Sequence, residues 1–146
     1  MARNFRLASV LRARQAQEDA VRGEVLRARR GAAQAADLAG ARDRHLAGHQ
    51  MPSEDNARAV IAALTARQAM AASLAAARQM HAAAEAHVVD QAGELAAAAK
   101  RRRTVEKLAE RHAEQRRLRD QRADQSALDE LATTDGQRAA AREVRS

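Results

Sequence analysis

Five histidines are the side chains best suited to acid–base or metal chemistry in this 146-residue chain, and it has no cysteine to join them. His45 and His49 stand four apart, so one helical face would carry both and aim them at a common ion. No third ligand lies near them, and Gly48 and Pro52 interrupt the chain at this point. The pair therefore reads as a solvated helix end. His81, His87 and His112 are scattered, and His81 and His112 fit a helix seam better than a catalytic role. Asp129 and Glu130 are adjacent carboxylates. Neighbours on a helix point in different directions, so they cannot act on one substrate as acid and base. No phosphate-binding glycine loop, nucleophile elbow or His-Glu-x-x-His motif occurs. The reading is of a chain that is not an enzyme, with no catalytic, cofactor-binding or metal-ligating residues and no cofactor.

Charge is the remaining chemistry. The net charge of +7 is segregated: +5 over 1–47, −2 over 48–97, +6 over 98–122 and −2 over 123–146. The block Lys100-Arg101-Arg102-Arg103 opens the second basic region. Such a surface attracts acidic protein, nucleic acid or anionic lipid. Phosphate contacts alone give salt-sensitive, sequence-blind binding. The aromatics that would stack on bases are missing, because Phe5 is the single aromatic residue.

The elements that must carry these charges follow from composition. Alanine fills 41 positions, and Leu, Ile, Val, Met and Phe together fill 26. That is too little large apolar volume for a globular core of this length, and it suits long helices or coiled coil. No segment approaches the roughly 18 apolar residues of a membrane span, and the N-terminus lacks a secretory core, so no membrane insertion is expected.

Residues 4–47 lie on one narrow stripe: Leu7, Leu11, Arg14, Glu18, Val21, Val25, Ala28, Ala32, Ala35, Ala39, Arg42 and Leu46. Alternating steps of four and three are the mark of a coiled-coil seam. Asn4 is a suitable N-cap. Gly48, Pro52, Ser53, Glu54 and Asp55 follow in the order of a helix stop and a new helix start. A second helix runs from about 54 to 133, with its seam through Val60, Leu64, Arg67, Ala71, Leu74, Arg78, His81, Glu85, Val88, Ala92, Leu95 and Ala99. The seam goes on through Val105, Leu108, His112 and Gln115, then resumes out of step at Leu118, Gln121, Gln125 and Leu128. Thr133 to Gly136 reads as the helix end, with a tail over 134–146.

The expected fold class is all-α: an antiparallel two-helix coiled coil with a longer, protruding C-terminal helix, in one unit over 1–146. At 1.5 Å per residue the helices span about 66 and about 120 Å. A turn at 48–53 pairs residue i with about residue 101 − i, so helix 1 runs out near residue 97. The rest of helix 2, starting at the basic block, is then left without an intramolecular partner. Charged side chains spaced at i+4, such as Arg102, Glu106, Glu110 and Glu114, would support it.

Two stretches resemble a known family: Val105-Glu106-Lys107-Leu108-Ala109-Glu110-Arg111, and Asp124-Gln125-Ser126-Ala127-Leu128-Asp129-Glu130-Leu131-Ala132. With Phe5-Arg6-Leu7, Val10-Leu11, Arg14 and Glu18 at the start, and the position of the turn, the chain resembles the FliJ family of the flagellar type III export apparatus over about 5–132. The resemblance implies a non-catalytic coiled-coil stalk that enters the hexameric export ATPase, stimulates it, touches the membrane export gate and escorts export chaperones. It implies a cytoplasmic site, peripheral to the inner face of the cell membrane at the flagellar base. Ring-contact or fold-back candidates are Arg14, Glu18, Arg101, Arg102, Arg103, Glu106, Leu108, Arg111, Asp129 and Glu130. Gate-contact candidates are Val60, Ile61 and Leu64, in a region where the family often carries aromatics and this chain has none. The alternatives are a basic helical nucleic-acid-associated protein and a structural coiled coil that self-assembles through the second half of helix 2.

Overall fold

A computed structural model describes residues 2–53 and 56–143, with side chains over 7–53 and 56–138. Two helices make up the described chain, α1 (Ala2–Ala47) and α2 (Ala57–Glu143), and no strand occurs among the described residues. Alanine, arginine, leucine, glutamine and glutamate are the strongest helix formers, which explains such length.

The ends differ from the expectations in three places. Helix α1 is already helical at Ala2, so Asn4 lies within it rather than capping it. It stops where the Gly48 N–H donates to the Arg44 carbonyl at 2.9 Å and the His49 N–H to Leu46 at 3.2 Å. A Cβ on Gly48 would lie only 3.3 Å from that Arg44 oxygen, which favours glycine there. Arg44 and His45 sit in the last turn and complement the helix dipole. The cap of α2 is Asn56 rather than Ser53: its Oδ1 accepts the Ala59 N–H at 3.2 Å. Glu54 and Asp55, expected in the first turn, lie outside the described residues. Finally, α2 passes through Thr133, Thr134 and Gly136 and ends ten residues later than expected. The two threonine hydroxyls donate back to the Asp129 and Glu130 carbonyls at 2.8 and 2.7 Å. Satisfied inside the helix in this way, they do not compete with it as caps.

Packing divides the chain into two compact units, one of residues 12–102 and one of 1–11 with 103–146. In the first, Glu18, Val25, Ala28 and Ala32 of α1 are buried, as are Leu74, Ala77 and Ala98 of α2. The helices run antiparallel, since Asp43 pairs with Arg78 and Glu18 with Arg102. These pairs place residue i beside about residue 120 − i, a register well beyond the expected 101 − i. The reason lies in the connection. Non-helical residues advance about 3.3 Å each against 1.5 Å in a helix, so the link climbs beside the start of α2. His49 accordingly reaches Ala63, with Nε2 3.3 Å from its carbonyl.

In the second unit, Leu7 and Leu11 border a shallow cleft with Ala109, His112 and Ala113. The basic block is therefore not where pairing ends. Every described residue from Ala113, at the edge of that cleft, to Arg138 is exposed.

One expectation about the membrane is corrected as well. An 18-residue window of α2 reaches a mean hydropathy of 1.4, long and apolar enough to cross a bilayer by length and composition. Residues 60–77 carry a single charge, Arg67. Thr65, Arg67, Gln68 and Ser73 break the apolar run, while alanine keeps its average high.

Candidate functional site

Glu18 is the one buried charged residue among the described residues, 7% exposed. It occupies a seam position of α1 flanked by half-buried Arg14 and Val21. A carboxylate removed from water requires compensating donors. Its Oε2 accepts from Arg102 Nε at 2.6 Å across the helix pair, and its Oε1 accepts from Arg22 Nη2 at 3.0 Å on the same helix. Arg22 also donates to Asp19 at 2.9 Å. Arg14 donates to Gln17 Oε1 at 2.9 Å. Glu18 and Arg102, both ring-contact candidates, are thus turned inward and hold the two helices together. The signal for this was a carboxylate on a mostly apolar stripe; nothing in the sequence pointed to its partner.

The other ring-contact candidates are strung along α2 and do not converge on a pocket. Arg101 is exposed in the first unit. In the second, Arg103, Arg111, Asp129 and Glu130 are exposed, Glu106 is half-buried and Leu108 is 51% exposed. Leu108 was expected on the seam, which instead follows Val105, Ala109 and His112. Arg117 donates to both carboxylate oxygens of Glu114, at 3.1 and 2.9 Å, which pushes the guanidinium pKa above its ordinary value. On α1, Arg27 grips Glu24 in the same way; its hydrogen bond holds the carboxyl below the usual value and raises Arg27 in turn.

Early α2 presents the gate-contact candidates. Val60 is half-buried, while Ile61 and Leu64 are 65% and 48% exposed. Ala63 and Ala66 turn inward here, towards His49 of the link and towards Arg42 and His45, which frees the larger neighbours.

The histidines do not assemble. His81 stands 3.3 Å from Glu85, one turn along. Among the described residues no three His, Asp or Glu side chains come close enough to hold a metal ion. Arg78, expected on the seam, is exposed and reaches Asp43 at 2.9 Å, a contact that no residue pattern foreshadowed.

Compared with known proteins, the chain is matched by one family model, described as flagellar FliJ protein, over residues 3–141. No curated protein and no solved structure matches it.

Proposed function

The chain belongs to the FliJ family, non-catalytic components of the flagellar export apparatus, and on that footing we propose that it is the stalk of the hexameric export ATPase. The observation that carries this reading is the stretch from Ala113 to Arg138, exposed on every side of one helix. A helix without a cover inside its own chain is stabilised by docking on something else. Charge all round its circumference allows it to meet similar loops from six subunits in turn. No contact needs to be strong, since the coupling is steric and electrostatic, and the rod hydrolyses nothing.

The ring-facing set is Arg101, Arg103, Arg111, Asp129, Glu130 and Leu108, with Arg14 and Glu106 at its margin. Glu18 and Arg102 are left out, because each already serves the other. Ile61 and Leu64, with Val60, form the surface for the membrane export gate. Export chaperones are escorted to that gate by the same protein, working in the cytoplasm at the inner face of the membrane.

Adding stoichiometric protein to the purified export ATPase tests the reading. Hydrolysis and hexamer assembly should both rise, and R101E/R103E/R111E should remove the rise while keeping the helical circular dichroism. Unchanged assembly and turnover with the wild-type chain would refute it.

A further inference from the structure

The exposed stretch of α2 carries a second pattern that a stalk does not require. Between Arg111 and Arg122 there are five arginines and two acids; between Asp124 and Asp135 there are four acids and no basic residue. The helix thus changes sign once, near Ala123. Leu118 and Leu128 stand at equal distances from that point and are 41% and 65% exposed. Gln121 and Gln125 lie between them at seam spacing, and all four are exposed.

We propose that this stretch docks on the same stretch of a second copy of the chain, running antiparallel about Ala123. In that arrangement Leu118 lies opposite Leu128 of the second copy, and Gln121 opposite Gln125. The basic half of each helix then faces the acidic half of the other. A parallel arrangement sets arginines against arginines and carboxylates against carboxylates, which like-charge repulsion disfavours. Complementary halves therefore choose both the occupant and its direction. Two leucines per chain bury little area, so the pairing is weak and reversible and its strength is mostly ionic. The surface is the one proposed above for the ATPase ring, so the dimer would be the form of the protein before it meets a ring. The inference does not depend on that function.

Sedimentation velocity on the full-length chain tests it. At about 50 mM salt the wild type should shift from monomer to dimer over the micromolar range, and about 500 mM salt should weaken the dimer at least about tenfold. The variant R116E/R117E/R119E/R122E makes both halves acidic and should remain monomeric, with unchanged helical circular dichroism. Adding D124K/D129K/E130K/D135K to it inverts both halves and should restore self-association. This inverted chain should not mix with wild type, because antiparallel mixing opposes like charges; parallel pairing would favour the mixture. A wild type that stays monomeric to about 100 μM at low salt, a half-inverted variant that still dimerises, or free mixing of inverted and wild-type chains would each overturn the proposal.

Discussion

Replacing Arg102 by Met keeps an unbranched apolar stem and removes the guanidinium, which breaks the ion pair at the centre of the helix pairing. Removing one partner of a fully buried pair costs about 3–5 kcal/mol, because the remaining charge stays desolvated. Here the Glu18 side chain is 9% exposed and that of Arg102 23%, so water reaches part of the pair. Arg22 also keeps its hold on the other carboxylate oxygen at 3.0 Å. Both facts lower the expected loss to about 1.5–3 kcal/mol, or about ten- to hundredfold in the folding equilibrium. The double replacement E18L/R102M removes both charges of the pair and should return to within about 1 kcal/mol of wild type. The swap E18R/R102E should recover less, because Arg22 then meets a second guanidinium. Urea unfolding by circular dichroism measures the total, and hydrogen exchange around Val25 reports the pair locally even if the exposed end of α2 unwinds first. An R102M variant within about 0.5 kcal/mol of wild type, or a double variant as unstable as the single, would show that the pair is not held out of water as described.

Leu74→Ala should cost about 2–3 kcal/mol in the same unfolding assay, since Leu74 is 5% exposed. Leu108→Ala, at 51% exposed, should cost less than about 0.5 kcal/mol. Ala98→Leu should destabilise by about 1–3 kcal/mol through overpacking at a buried position, whereas Ala92→Leu, on the exposed face, should be neutral or slightly stabilising. Asn56→Ala should lose about 1 kcal/mol of helix capping and Ser53→Ala almost nothing. In an NMR titration the Glu24 carboxyl should titrate below the usual glutamate range, and Arg27→Gln should bring it back up. Its folded value is depressed, so whatever stability this pair adds is present above the unfolded value and disappears as pH falls through the folded one.

The stripe of α1 was legible to the residue. Every seam position from Leu7 to Leu46 is buried or half-buried except Arg42. Valines and leucines among polar neighbours leave one phase open, and the helix adopts it. On α2 the large residues fix only one column, Leu74, His81, Val88 and Leu95, which the structure keeps on the paired face. The column between them was placed at Arg78, Glu85, Ala92 and Ala99, while the structure runs its inner edge through Ala77, Ala84, Gln91 and Ala98. With alanine at most candidate positions, steps of four and three or of three and four satisfy the same pattern. Burial of a methyl group separates them too weakly to show in sequence. The register was illegible for a related reason: it depends on how far the connection climbs, and the sequence of a link does not reveal its rise.

An alanine seam that does not determine its own register needs something else to do so, and this is the physical place of Glu18 and Arg102. Apolar contacts among alanines change little when one helix slides past the other. A buried carboxylate that slides loses its cation and remains stripped of water, at a cost of several kcal/mol. One such pair, at 2.6 Å, therefore discriminates between registers that packing alone would leave nearly equal.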